Sequence, residues 1–137
     1  MWKFYAILSA VFAALTAILA KVGVKGISGN VATAVRTCVV LLVAWFIVLF
    51  SGQIKEIKEL SKMNLAFLVF SGIATGLSWI FYFKALETGE VSKVAPIDKL
   101  SVVFVMILSF LLLHEPLGLK TVAGGILITA GAIILLL

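Results

Sequence analysis

The sequence predicts an all-α membrane protein in which five transmembrane helices make up the whole fold. Three observations carry this prediction: 64% of the 137 residues are hydrophobic, only 12% are charged, and the mean hydropathy is +1.28. A soluble domain has about 45–50% apolar and about 25% charged residues, so this chain would expose too much apolar surface to water. The composition therefore excludes a soluble enzyme and a nucleic-acid-binding protein. We expect membrane lipid to surround the chain.

Five continuous apolar segments are long enough to cross a membrane, because about 30 Å of hydrocarbon needs about 20 helical residues at about 1.5 Å each. The apolar runs do not alternate with polar residues, so helices are expected and not barrel strands. We do not expect the first span to be a cleavable signal peptide, because it is too long for the apolar region of one, no basic run precedes it and more spans follow. The predicted spans are Trp2–Ala20, Val31–Phe50, Leu65–Phe83, Val91–Leu113 and Leu119–Leu137.

Each connection between spans contains glycine, serine or proline, residues that are typical of turns. The longest connection runs from Gln53 to Lys62, and its Ile54, Ile57 and Leu60 recur at helical spacing. A short helix lying on the membrane surface is therefore expected there. It could sense lipids or dock a partner, but we favour a solvated linker whose lysines reach the headgroups.

The lysines are spread almost evenly over the two sides of the membrane. Five spans place the termini on opposite sides, with five lysines on one side and four on the other, or six cations if Arg36 and Lys99 are added. Orientation is normally fixed by an imbalance in these counts. The balance predicts either weak topology control, with insertion in both orientations, or a fixed orientation set by other features.

Three charged residues lie inside predicted spans, where a charge costs about 2.5–3.5 kcal/mol and marks a candidate functional site. They are Arg36 in the second span and Asp98 and Lys99 in the fourth. All three enter from the same face, so an Arg36–Asp98 ion pair is expected. Asp98 could carry a proton or a cation, while Arg36 or Lys99 could hold an anionic substrate group. Alternatively, Asp98 is a first-turn carboxylate stabilised by the helix dipole, and Arg36 extends to the headgroups.

Pro96 lies just before this acidic residue and has two interpretations. Inside a continuous helix it would break the hydrogen-bond ladder and free carbonyl oxygens, which transporters use to coordinate ions. At the first position of a helix it would free nothing. We favour the second interpretation, in which the helix begins at Pro96.

Aromatic and small residues supply the remaining candidates. Trp79 and Tyr82 could present aromatic faces to an organic cation, although packing is the more common role of such residues. Small residues let helix backbones approach closely, which predicts either a dimer seam or, as we favour, packing within the five-helix unit. These glycines are Gly72, Gly76, Gly124, Gly125 and Gly131.

Several classes of chemistry have no signature in the chain. It has no cluster of metal ligands, no P-loop, no catalytic triad and no dinucleotide-binding motif. We therefore expect no metal, no cofactor and no enzymatic activity, and ATP-driven pumping by this chain is not expected.

Four sequence segments resemble the drug/metabolite transporter superfamily, in its EamA-like branch. They are Leu77–Leu86 (LSWIFYFKAL), Leu111–Leu117 (LLLHEPL), Gly124–Gly131 (GGILITAG) and Ala95–Ser101 (APIDKLS). The last of these is similar to the single-repeat bacterial and archaeal transporter group. The resemblance covers essentially the whole chain and includes Glu115, which matches the acidic residue that ends the fourth span. It departs at Ser101-Val102, where a proline is common in longer relatives.

The resemblance implies one five-span EamA-like repeat that transports, and more specifically exports, small organic solutes from a multi-pass position in the inner or plasma membrane. Longer relatives carry two inverted repeats, so the missing half would be a second copy. An antiparallel homodimer of dual topology, as in the small multidrug resistance proteins, fits the balanced lysines. Asp98 would then carry any proton coupling, because the first span has no carboxylate. The alternatives are a non-transporting membrane subunit or scaffold of a larger complex and a flippase for lipid-linked substrates.

Overall fold

The computed structural model describes residues 1–137 and consists of helices and connecting loops, without β-strands. Five spans are long and apolar enough to cross a membrane, which confirms the predicted fold class. One span is interrupted, so the five spans comprise six α-helices. The longest connection contains a 3₁₀ helix, Gln53–Glu59, where a short helix was expected. The α-helices are α1 (Trp2–Gly23), α2 (Gly29–Phe50), α3 (Lys62–Thr88), α4 (Val91–Asp98), α5 (Leu100–Leu113) and α6 (Leu119–Leu136).

The helix α3 is longer than the predicted span 65–83 at both ends. It begins at Lys62 and ends at Thr88, so its 27 residues extend about 40 Å, which exceeds the thickness of about 30 Å of a hydrocarbon core. The hydropathy pattern ends where charged residues appear, whereas the backbone hydrogen bonds continue through Lys84 and Glu87. The polar end of α3 therefore brings additional side chains to the candidate site.

The predicted fourth span is divided into α4 and α5 at Lys99. Pro96 is the sixth residue of α4 and has no N–H to donate to the preceding turn. After it, Lys99 donates its N–H to the Pro96 carbonyl oxygen and Val102 to that of Lys99, both at 3.0 Å. These bonds span three residues instead of four, so the helix tightens and breaks here.

The break corrects two expectations. The helix does not begin at Pro96, because Val91 starts it five residues earlier. Asp98 is consequently not a first-turn carboxylate but the last residue of α4, an end where the helix dipole disfavours negative charge. The interpretation that we favoured for Pro96 was wrong, and proline inside the span is what the structure contains.

The chain folds into two compact units. Residues 18–88 form what we call the α2–α3 unit, which also includes the end of α1 and the 3₁₀ helix. Residues 1–17 and 89–137 form the α4–α6 unit, which includes the larger part of α1.

The core of the α2–α3 unit lies at one end of its helices. Leu86 is completely buried and Phe83 is 2% exposed. The close approach of α2 occurs at Gly29, where an added Cβ would lie 3.0 Å from the backbone at Phe83 and Lys84. The buried residues of this unit are Ala20, Val24, Gly29, Ala32, Thr33, Phe83 and Leu86.

The α4–α6 unit contains an apolar groove between α5 and α6. The Cβ of an alanine at Gly125 would lie 3.0 Å from the Met106 sulfur, so these two helices touch closely at this glycine. Beside this contact is a cavity of about 430 Å³. Its lining residues are Val103, Met106, Ile107, Leu117, Val122, Gly125, Ile126, Thr129, Ala130 and Ile133.

Candidate functional site

Arg36 is the charged residue that the fold holds inside a span against aromatic rings. It lies seven residues after the start of α2, which is about 10 Å along the helix axis. Its guanidinium carbon is 4.2 Å from the centroid of the Trp79 ring and 5.6 Å from that of Phe83. Since the Cα–Cβ bond of a helical residue tilts toward the helix N-terminus, the side chain extends back along α2 toward the buried end of α3.

Gly29, the first residue of α2, sets the register that brings Arg36 to these rings. A Cβ at this position would lie 3.0 Å from both the Phe83 carbonyl carbon and the Lys84 nitrogen. Only a glycine lets the two backbones come this close without displacement. Because α2 and α3 meet at Gly29, Arg36 lies beside the preceding turns of α3, where Trp79 is.

Polar side chains satisfy the start of α2 in this close contact. The Glu87 carboxylate accepts a hydrogen bond from the Gly29 N–H, and the Ser28 hydroxyl accepts one from Val31 N–H at 3.4 Å. A carboxylate at a helix N-terminus interacts favourably with the helix dipole. Thr33 donates its hydroxyl to the Gly29 carbonyl oxygen at 2.7 Å, so this buried side chain is also satisfied.

The end of α1 is joined to the end of α3 by a hydrogen bond. The Lys21 ammonium donates to the Leu86 carbonyl oxygen at 2.6 Å. A lysine near a helix C-terminus is well placed for such a bond to a terminal carbonyl group. Lys21, Leu86 and Glu87 thus connect α1, α2 and α3 at one end of the unit.

Sequence reasoning missed Glu87 entirely. Its bond to Gly29 joins residues 58 positions apart, and no local pattern predicts such a pairing. The available signal was weak: the Ser28-Gly29 pair resembles a helix start, and a carboxylate lies near the end of the neighbouring span.

The structure brings together three of the five predicted substrate or ion ligands. Arg36 lies over Trp79 and beside Phe83, and the centroid of the Tyr82 ring lies 6.3 Å from that of Phe83 in an edge-to-face contact. Trp79 was expected either to receive an organic cation or to pack. One face of its ring is instead covered by the chain's own cation, which would repel a second cation there.

Asp98 and Lys99 lie at the break between α4 and α5. The Lys99 ammonium is 3.4 Å from the Asp98 carboxylate, and the side chains are 56% and 36% exposed. An exposed pair of this kind contributes little to stability. Arg36 belongs to the α2–α3 unit and Asp98 to the α4–α6 unit, and the expected pairing of the two stays a prediction.

The five glycines chosen from the sequence differ in their surroundings. Gly125 lies against Met106, as described above. At each of the other four, an added Cβ would have no atom within 4 Å. What packs against Gly72, Gly76, Gly124 and Gly131 therefore stays a prediction.

The end of α5 is shaped by His114 and Glu115. His114 adopts the left-handed conformation at φ 55°, and both residues donate their N–H groups to the Ser109 carbonyl oxygen. The Ser109 hydroxyl also donates to the Glu115 carboxylate. This acidic residue, which matched the family pattern, thus terminates the helix. No group of three or more side chains that could hold a metal ion occurs in the chain.

Comparisons with known proteins identify the family of the chain. The sequence model of the EamA-like transporter family matches residues 1–137. A Sinorhizobium protein named "uncharacterized transporter in cobO 3'region" is 48% identical over 134 residues, which cover 98% of this chain and 95% of that protein. No solved structure is significantly similar to this chain. The resemblance found in the sequence is confirmed: the chain is a multi-pass membrane protein of the EamA-like transporter family.

Proposed function

We propose that the chain is a secondary transporter that exports small organic solutes through the inner or plasma membrane and catalyses no reaction of its own. It works by alternating access, as an antiparallel homodimer. The observation that carries this proposal is Arg36, a permanent cation held about two turns inside a span. Such a residue costs about 2.5–3.5 kcal/mol to insert, and a purely structural helix would gain more from an apolar side chain.

The need for a second copy rests on what one chain lacks. The groove of the α4–α6 unit is lined almost entirely by apolar side chains, which do not suit a polar solute. Two copies would supply two sets of the charged residues, and membrane lipid would surround the assembly. The Sinorhizobium relative is matched over 95% of its length, so the similarity extends over all five spans of this chain.

The antiparallel arrangement rests on charge. The predicted sides of the membrane carry five and four lysines, and a chain without a clear imbalance can insert either way. Two copies of opposite orientation would reproduce the inverted repeats on which many transporters are built. No atom lies within 4 Å of an added Cβ at Gly72 or Gly76, so this face of α3 leaves room for close contact with another helix. We propose it as the contact between the two copies.

Roles for the site residues follow from their chemistry. Arg36 and Lys99 hold an anionic group of the solute, and Asp98 carries the proton or cation that couples transport to a gradient. Trp79 and Tyr82 form the wall beside Arg36. Because Pro96 interrupts the ladder next to Asp98, the carbonyl groups freed in this turn are further candidate ligands for that cation.

Reconstitution into liposomes tests the proposal, with flux of candidate solutes measured under an imposed proton gradient. We expect Asp98→Asn to abolish gradient-driven flux, because an amide cannot ionise, while the matched variant Glu59→Gln in the exposed 3₁₀ helix retains it. Unchanged flux in Asp98→Asn would exclude Asp98 as the coupling residue. For topology, C-terminal fusions to a cytoplasmic and to an external reporter should both be active, and activity of only one would exclude dual topology.

A second candidate function is flipping of a lipid-linked substrate, which the α5–α6 groove favours. Its exposed apolar lining, including Ile107 and Ile126, matches an acyl chain better than a polar solute. Lipid-linked molecules that co-purify with the protein, and whose transfer between leaflets it accelerates in vesicles, would favour this function. Transfer that is not accelerated would exclude it.

A further inference from the structure

We infer that Arg36 binds a carboxylate or phosphate group of a ligand and that Trp79 holds the guanidinium in position for it. As a statement about the exported solute, this inference rests on the proposed function. As a statement about binding it stands on the geometry of the α2–α3 unit alone.

Arg36 carries a positive charge that no acid of its own unit neutralises. Within the α2–α3 unit no carboxylate forms a salt bridge with it, and Glu87, which lies nearest the start of α2, is engaged with the Gly29 N–H. The chain's salt bridge at Asp98 is made with Lys99. The protein thus holds a cation inside a span on aromatic rings without pairing it to an acid of the same unit.

The contact between Arg36 and Trp79 acts through the charge of the guanidinium. An aromatic ring attracts a cation through its quadrupole, which requires no hydrogen bond, and a guanidinium has five N–H donors in a planar fork. The contact of 4.2 Å with Trp79 therefore positions the group through its charge. A planar fork of donors that is held in place matches the two oxygens of a carboxylate or a phosphate.

The charges at this end of the unit are mostly positive. Lys21, Lys25 and Lys84 lie there together with Glu87. This excess of positive charge favours an anion near Arg36 and disfavours an organic cation. The half-buried ring of Trp79 borders the same place, which suits an anionic group attached to an apolar or aromatic body.

Two sources can supply this chemistry, because a solute and an anionic phospholipid both carry such oxyanions. An arginine about 10 Å inside a span can also reach a lipid phosphate. The inference concerns the shared group, and the experiment separates the two sources.

Arg36 is the chain's only arginine, so the arginine reagent phenylglyoxal reports on it directly in the unaltered protein. The protein is placed in phosphatidylcholine nanodiscs, and the rate of modification is followed by intact-protein mass spectrometry. Benzoate and inorganic phosphate are the soluble probes, choline is the cationic control, and nanodiscs that contain phosphatidylglycerol supply the lipid anion. Arg36→Lys, which retains the charge, gives the background from lysines and the N-terminus.

We expect benzoate or phosphate to slow the modification, saturably and about tenfold at ten times its Kd, since about one site in eleven then stays free. Choline should leave the rate of Arg36 modification unchanged. Benzoate and phosphate should not slow the modification of free N-acetylarginine amide, which has no binding site. Protection by phosphatidylglycerol and not by the soluble anions would identify the oxyanion as that of a lipid. Equal rates in all conditions, or protection by choline, would overturn the inference.

A second readout separates binding from folding. With Trp2 and Trp45 replaced by phenylalanine, the fluorescence of Trp79 should change when benzoate binds, and Arg36→Gln should abolish the change. If Arg36→Gln retains it, the inference fails. Protection of Arg36 without any solute flux in liposomes would contradict the proposed function and leave this inference standing. Flux without protection would contradict this inference and leave the proposed function standing.

Discussion

The guanidinium carbon of Arg36 in α2 lies 4.2 Å from the ring centroid of Trp79 in α3. A cation over an indole ring is attracted by the ring's quadrupole, by about 0.5–1 kcal/mol at an exposed site and about 2 kcal/mol where water is excluded. This contact joins the two helices at the charged position of the second span. It gives a permanent cation a fixed place inside the membrane.

We predict that Arg36 and Trp79 are energetically coupled. Trp79→Leu and Arg36→Met each lose the contact, so their combined destabilisation should fall short of the sum by about 0.5–2 kcal/mol. A double-mutant cycle on the unfolding free energy in detergent measures this difference. Trp45→Leu is the matched control and should be additive with Arg36→Met. Additivity at Trp79 as well would show that the contact contributes nothing.

We predict that Gly29→Ala destabilises the protein by about 1–3 kcal/mol, the usual cost of overpacking. Its Cβ would meet the backbone at Phe83 and Lys84, both at 3.0 Å. The thermal unfolding midpoint measures the change, and Gly23→Ala is the control because an added Cβ there meets nothing within 4 Å. Equal midpoints for the two variants would mean that α2 and α3 do not approach closely at Gly29.

We predict that Glu87→Gln weakens the protein by about 0.3–1 kcal/mol, because the amide keeps an acceptor for the Gly29 N–H but removes the negative charge from the start of α2. Glu87→Ala should cost more, since it also leaves that N–H without its partner. Chemical denaturation compares both with Glu56→Gln in the exposed 3₁₀ helix. The reverse order of the two Glu87 variants would contradict the capping role.

We predict that Pro96→Ala raises stability and lowers transport. Alanine restores the missing N–H, and proline within a helix costs about 3 kcal/mol or more. If the break at Lys99 lets α4 and α5 move during alternating access, the repaired helix should carry flux more slowly while the unfolding midpoint rises. The control is Ser92→Ala, in the same helix but without a backbone effect. A more stable variant with unchanged flux would show that the break has no part in transport.

The sequence predicts the spans well, because hydrophobic length is a local property. It does not predict where α3 ends, since hydropathy changes at Lys84 while backbone hydrogen bonds continue to Thr88. Pro96 was misplaced for a related reason: the residues Val91–Ala95 form a helical turn before it, and composition alone cannot tell a helix start from a break.

The candidate site was predictable in part. Arg36 stood out because charge within an apolar run is costly, but its contacts depend on the register of α2 against α3. That register is set by Gly29 and Glu87, whose contact spans 58 residues. Long-range contacts of this kind leave no periodic pattern in the chain.

The proposed transporter requires a second copy of the chain, and counting chains in single vesicles tests this requirement directly. Proteoliposomes are prepared at low protein density with a C-terminal fluorescent fusion, flux is recorded for each vesicle, and the chains are then counted by photobleaching steps. We predict that vesicles with one chain are inactive and that flux begins with two. Flux at the full rate in vesicles with a single chain would contradict the account.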